Sequence, residues 1–490
     1  MLKNYRLLVF FFVLIYNIFT ITAQEALLST EEEYFSFLSL QGLVLRPTLN
    51  YRTLSDSVWK FNSSSDSLDV DRNLWNQRNN NSDRMITDQV ALKVYGPNFF
   101  TSFNSAVPYG QNDGLLWQGK GLNTSLTGGL RFEGYGFELT VKPQFVFSQN
   151  LSFDLMKSAY DSEYGYIWGY GANRGVDAPQ RFGNSSFFDW SLGDSEIRYT
   201  WNKFTVGFGT QAIWLGPAQI NPLLHSNNAV PYPKVDIGLR RTAINLPYFG
   251  RYIGDIEFRI WTGYLSESDY FDNNDENDHN MLHGLTFSYA PSFLPGLVLS
   301  ANRTCLVKWK LENLRYIIPL SENTFIGETG LGEDQKMSLA ACWSFPEVGF
   351  EVYGELGRDD FAAAGMKYPF HSMTYTVGLQ KGMVLSTKFS LYGKLLFEWN
   401  NTEMSQDFQF QWPYNFGFHH QITQGYTNGG QWLGSGIGYG GNSQYLGYTV
   451  YYPKGSILLY LHRYNPDNNF LYKDTIGTAT IKDDNRFFSW

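Results

Sequence analysis

The sequence predicts an all-β chain: a transmembrane β-barrel of the outer-membrane type, with about 18 antiparallel strands and a short N-terminal helical segment. Three observations carry that expectation. Segments along most of the chain alternate apolar and polar residues with period two, as a strand does when one face meets lipid and the other a polar interior. Glycine (47) and aromatics (33 Tyr, 39 Phe, 14 Trp) are abundant while mean hydropathy stays negative at -0.29, which suits two-faced strands better than membrane helices. The N-terminus reads as an export signal, placing the rest of the chain outside the cytoplasm.

In that signal, Lys3 and Arg6 form a positive start, and Leu7 to Ile21 form an apolar stretch that ends at Ala23. The stretch is short of the roughly 20 apolar residues of a spanning helix. Polar Asn17 and Thr20 and small Ala23 favour cleavage between Ala23 and Gln24 over an uncleaved anchor. The expected organisation is therefore a signal peptide over 1–23, an N-terminal helical and irregular segment at the periplasmic side over 24–85, and a barrel over 86–490. Within the second region Ser29, followed by Glu32, offers a capping box for a helix running to about Gln41 with Tyr34, Phe35 and Leu38 along one face. Residues 63–83, rich in Ser, Asn and Asp, read as an irregular connection.

The alternation is clearest in Glu138–Phe147, where Leu139, Val141, Pro143, Phe145 and Phe147 oppose Glu138, Thr140, Lys142 and Gln144. Lys388–Trp399 repeats it, with Leu396 as its one clear violation. Shorter runs around Arg198, Asp236, Glu257 and Tyr353 share the pattern. A soluble sandwich would alternate too. Against it stand the unbroken length, the aromatics near strand ends and the lack of any repeat such as propeller blades. Unequal loops, among them acidic Glu267–Asp278 and polar Thr402–Tyr414, suit outward loops facing short periplasmic turns. The terminal run Asn485–Trp490 ends on an aromatic, as closing strands of outer-membrane barrels do. Cys305 and Cys342 are the only two cysteines, and pairing or two separate thiols are both open. A net charge of -9 without a basic patch excludes a nucleic-acid partner.

Two stretches extend the reading. One runs from Gly207 through Gln211, Trp214, Gly216 and Pro217 to Asn227, Asn228, Tyr232 and Gly238; the other runs from His419 to Gly434 and includes Gln431 and Trp432. With the alternating strands and aromatic end, they resemble the Wzi-type capsule-assembly family of outer-membrane proteins. The resemblance implies a large barrel, a helical region at or inside its periplasmic mouth, and a lectin-like role in attaching exported capsule to the cell surface. It implies capsular or related surface polysaccharide as partner. The lipid bilayer and lipopolysaccharide would surround a monomer, and no cofactor is expected.

Sugar recognition needs flat apolar faces for pyranose C–H groups and planar polar groups for hydroxyls. Gln211, Trp214, Asn227, Asn228, Tyr232, Gln431 and Trp432 supply that mixture and are the candidate polysaccharide-binding residues. The same types can equally form interface girdles and turns. The expected lumen-lining charges are Glu138, Lys142, Glu196, Arg198, Asp236, Arg240, Glu257, Arg259, Glu351, Glu355, Lys394 and Glu398. Mixed signs favour a plugged or constricted lumen over an open one, with a porin or saccharide-selective channel as the alternative. No nucleophile elbow, zinc helix or phosphate loop is present. His419 and His420, adjacent on a strand, would point to opposite faces and not chelate one metal. Neither a catalytic nor a metal site is expected.

Overall fold

The computed structural model describes residues 29–62, 75, 84–87, 89–155, 163–166, 176–272, 274–275, 277–318, 332–359, 373–403, 416–419, 421–465 and 467. The signal segment, nearly all of the 63–83 connection, His420 and the C-terminal run lie outside them.

Helix α1 (Thr30–Leu40) starts where the sequence places it: the Ser29 hydroxyl accepts the Glu32 amide at 3.1 Å, and Glu31, Glu32 and Glu33 occupy the dipole-favoured first turn. Two short strands follow and pair, β1 (Val44–Leu45) and β2 (Lys60–Phe61). The wall begins with β3 (Arg84–Thr87), β4 (Val90–Asn104), β5 (Gly121–Gly134), β6 (Phe137–Val141), β7 (Gln144–Ser148) and β8 (Phe187–Ser191). It continues with β9 (Glu196–Trp201), β10 (Phe204–Gly209), β11 (Lys234–Asn245), β12 (Tyr252–Ser266), β13 (His279–Pro291) and β14 (Leu297–Lys308). Then come β15 (Glu333–Phe345), β16 (Phe350–Asp359), β17 (Met373–Ser386) and β18 (Leu391–Asn401). A small pair, β19 (Thr427–Asn428) and β20 (Gln431–Trp432), precedes β21 (Asn442–Tyr452) and β22 (Gly455–Asn465).

Eighteen of these strands, β3 to β18 with β21 and β22, form one closed antiparallel barrel. At its seam Tyr109, in the β4–β5 loop, reaches the last strand: its hydroxyl lies 2.8 Å from His462 Nδ1 and its ring 6.0 Å from that of Tyr464. The expected continuous strand Glu138–Phe147 is broken. β6 and β7 both pair with β5 and are halves of one stave, interrupted at Lys142 and at Pro143, which has no N–H for the ladder. β8 and β9 are halves of the next. The expected run from Lys388 starts only at Leu391, because Ser390, with φ 50°, turns the chain before it.

Period two survives these breaks. Ile197, Tyr199, Trp201, Val235 and Ile237 face outward and are exposed, while Glu196, Arg198, Lys234 and Asp236 face inward and are buried. Glycine lets the inward charges meet. Gly207 sits in register between Arg198 on β9 and Asp236 on β11, and a side chain there would collide with the guanidinium that crosses to Asp236 Oδ1 at 2.9 Å. Cys305 and Cys342 lie in separate buried clusters and form no disulfide.

Long connections gather at one end of the barrel, among them 105–120, 210–233 and 402–441. Turns of a few residues, such as 202–203, 387–390 and 453–454, lie at the other. In barrels of this class the short turns are periplasmic.

Two groups of segments occupy the interior. From the short-turn end, α1 packs Tyr34 and Phe37 against Tyr451, and residues 49–56 run inside the wall. From the long-loop end, residues 210–233 and 416–441 bring in Ile213, Leu215, Leu224, Phe416, Tyr426, Leu433 and Tyr439, all fully buried. The two meet where Arg52 and Trp214 exchange backbone hydrogen bonds of 3.0 and 2.9 Å.

Wall side chains hold both groups. Glu257 accepts the amides of Leu49, Asn50 and Tyr51 at 2.8, 3.0 and 2.7 Å. Glu398 accepts those of Gln219 and Asn221, each at 2.7 Å. Asp56 of the inner segment lies 2.6 Å from Arg240 and 2.9 Å from Arg259. Removing one partner of a buried ion pair strands the others, at a cost of about 3–5 kcal/mol. Asp56→Ala is therefore expected to lower the midpoint of heat-modifiable gel mobility strongly, while Asp56→Asn, which keeps an acceptor, lowers it less.

Candidate functional site

At the long-loop end three loops clasp one another. Gly114 N–H donates to the Asn227 carbonyl at 2.8 Å, Gln431 Nε2 donates back to the Gly114 carbonyl at 2.9 Å, and the Asn112 amide donates to Asn228 Oδ1 at 3.0 Å. Asn228 Nδ2 in turn holds the Trp432 carbonyl at 3.0 Å. Such amide clamps fix irregular backbone that has no strand ladder of its own.

The clasp encloses a pocket of about 170 Å³ lined by Tyr109, Asp113, Trp117, Asn228, Gln431 and Tyr464, with neighbouring loop backbone. Trp117 is braced by Phe182, 4.9 Å away between ring centroids. Tyr109 is braced by His462 and Tyr464. The pocket thus joins aromatic faces to a carboxyl, the side-chain amides of Gln111, Gln118, Asn228 and Gln431, and phenol hydroxyls. Burial of its carboxyl end lifts Asp113 to about 7, against partial relief from the Gln118 side chain and the Gln111 amide.

The seven candidate residues are divided by the structure. Asn228 and Gln431 line this pocket, and Asn227 is half-buried at its edge. Gln211 is fully buried and accepts the Ser55 amide at 3.1 Å, inside the barrel. Tyr232 is buried, with its hydroxyl 2.7 Å from His225 Nε2; burial drops that imidazole to about 4. Trp432 packs edge-on to Tyr439 at 5.3 Å in the central cluster. Trp214 is 1% exposed, with its indole N–H on the Ala218 carbonyl at 2.9 Å.

All twelve charges face the interior. Glu138 meets Arg131 and Arg240 at 2.7 and 2.8 Å, Lys142 meets Asp194 at 3.2 Å, and Glu196 meets Arg198 at 2.8 Å. Arg259 reaches Asp236 at 2.7 Å, Glu351 reaches Arg46 at 2.7 Å, and Lys394 stands 4.0 Å from Glu33. Glu355 accepts the Ser338 hydroxyl at 2.6 Å, and Tyr353 donates to Glu398 at 2.7 Å. These groups form a bonded mesh that grips the internal segments. Sequence reasoning passes over Tyr109, Asp113, Trp117 and Tyr464. The available signal was two aromatics flanking the Asn112-Asp113-Gly114 turn, which reads on its own as a hairpin.

Residues 114–308 match the family model described as capsule assembly protein Wzi. Over those residues the chain is similar to the Wzi family. That match contains Trp117 and the Gly207–Gly238 stretch, and the remaining pocket residues come from outside it. Among solved structures, Escherichia coli Wzi, described as an outer membrane protein involved in group 1 capsule assembly and a carbohydrate-binding β-barrel, is 14% identical with a TM-score of 0.58; the alignment covers 90% of this chain and 86% of that one. Pseudomonas putida OprB aligns at 11% identity and a TM-score of 0.31, over 77% of this chain and 92% of that one. Vibrio cholerae OmpT aligns at 12% and 0.25, over 65% and 88%. A comparison with curated protein sequences returns no match. The likeness to E. coli Wzi shows the outer-membrane barrel fold, and in this chain the barrel interior is filled.

Asp113 is expected to make the outer loops of this protein pH-sensitive. With its folded pKa raised from about 3.9 to about 7, the folded chain keeps a proton that the unfolded chain loses, so stability falls as pH rises from about 4 to 7 and then levels off. Asp113→Asn stays neutral. Paired thermal midpoints from pH 4.5 to 8.5 are expected to show the variant gaining on the parent up to about pH 7 and holding a constant lead above it.

Proposed function

We propose that this protein anchors capsular or related surface polysaccharide at the outer end of its barrel, binding it without catalysing a reaction. The observation that carries the reading is the pocket formed by Tyr109, Trp117, Asp113, Asn228 and Gln431, because it presents aromatic faces and planar amides side by side in the outward loops. Its size suits one sugar ring at a time, so affinity for a long chain would come from repeated engagement. The match of residues 114–308 to the Wzi family model and the carbohydrate-binding description of E. coli Wzi support the same role.

In this reading residues 1–23 direct export, and the exposed apolar belt sits in the outer-membrane bilayer, against lipopolysaccharide on its outer rim. The chain works as a monomer. Gln431 and Asn228 contact the glycan, while Trp214, Tyr232 and Trp432 shape the interior behind it.

Retention of the cognate polysaccharide by purified protein is expected to weaken at least tenfold in Trp117→Ala, and to be unaffected in the outward-facing wall variant Trp201→Leu. A deletion strain is expected to shed its polysaccharide; normal retention would count against the anchor. Reconstituted in a planar bilayer, the filled barrel is expected to show little steady conductance, and large stable steps would restore the channel reading.

A further inference from the structure

A second and larger cavity, about 650 Å³, lies at the opposite end between the N-terminal segment and the wall. Pro291, Ser292, Pro295 and Pro346, from short periplasmic turns, form its rim, so it faces away from the polysaccharide pocket. Its deeper lining includes Glu32, Arg46, Arg52, Trp59, Trp214 and Arg241.

The charges in this lining are not equally satisfied. Arg46 lies 2.7 Å from Glu351, and Arg241 lies 2.7 Å from Asp255. Glu32 accepts the Ser57 hydroxyl at 2.5 Å and the Trp59 indole N–H at 2.8 Å. Arg52 differs. Among the described residues no carboxylate lies within ion-pairing distance of it; one guanidinium nitrogen reaches the Gly216 and Ala218 carbonyls at 2.9 and 3.3 Å. Its Cζ lies over the Trp214 ring, 5.2 Å from the ring centroid. Burial, reinforced by the Arg46 charge and opposed by Glu32 and Glu351, lowers its pKa to about 10, which still leaves it charged at neutral pH. A partly buried guanidinium with free donors, held on an aromatic face in a cavity, is a ready receptor for a planar anion. Trp59, packed on Phe35 at 6.0 Å and half-buried, gives the lining an accessible aromatic surface.

We propose that this periplasmic cavity is a binding site for an acidic sugar residue, its carboxylate on Arg52 and its ring against Trp59. The sugar half of the proposal rests on the polysaccharide reading above; the anion half rests on Arg52 alone. The protein would then meet acidic glycan at both ends of a filled barrel, through two sites that share no side chain.

The test is ligand-observed NMR on the purified full-length protein in detergent, with glucuronate, glucose and inorganic phosphate as separate probes. Saturable glucuronate binding is expected, at least tenfold weaker in Arg52→Gln and partly kept in Arg52→Lys. Ser36→Trp, which fills the cavity from α1 without removing a charge, is expected to abolish it. Trp117→Ala is expected to leave it unchanged, which separates this site from the outer pocket. Glucuronate binding that ignores both Arg52→Gln and Ser36→Trp in folded, heat-modifiable protein would overturn the site. Phosphate competing as well as glucuronate, or glucose binding equally, would overturn the acidic-sugar assignment.

Discussion

The barrel depends on one constraint: carboxylates that its strands point inward, away from bulk water, need donors, and the wall does not supply enough of them. Among the described residues Glu257 accepts no hydrogen bond from the wall, and it takes three consecutive amides from residues 49–51 instead. Glu398 does the same for residues 219–221. Each internal segment, in turn, carries backbone N–H groups that lack a ladder. A buried unpaired donor or acceptor costs about 1–3 kcal/mol, so wall and filling stabilise one another. The arginine mesh extends this to charges, with Asp56 as the anionic centre between Arg240 and Arg259.

Much of the wall is legible in sequence because strand periodicity is local. Glu196, Arg198, Ile197 and Tyr199 declare their sides within four residues, and Ser29 with Glu32 declares the helix start in the same way. The filling is not legible, since its bonds join residues far apart. Asp56 and Arg240 are separated by 184 positions, and Tyr51 and Glu257 by 206. Pro143 breaks a stave whose alternation runs straight through it, because side-chain period and backbone pairing are separate properties.

The candidate site was half legible for a related reason. Aromatic and amide side chains serve a sugar and a crowded interior through the same chemistry. Trp214, Tyr232 and Trp432 are consumed by packing against Ala218, His225 and Tyr439, whereas Asn228 and Gln431 hold loop backbone at the mouth. The residues that complete the pocket, Tyr109 and Trp117, come from a loop clasped to Asn227, Asn228 and Gln431, more than a hundred positions away. A filled barrel also explains how two cavities coexist without joining: the Arg52–Trp214 bridge stands where inner and outer segments meet.

Hydrogen–deuterium exchange on the folded protein in detergent tests the mutual locking of wall and filling most directly. The amides of Leu49, Asn50, Tyr51, Gln219 and Asn221 lie outside the barrel strands, yet they are expected to exchange as slowly as amides within β12 and β18. Exchange at the rate of exposed loops would contradict the account, because the segments would then lie loosely in a lumen whose wall charges find their partners elsewhere.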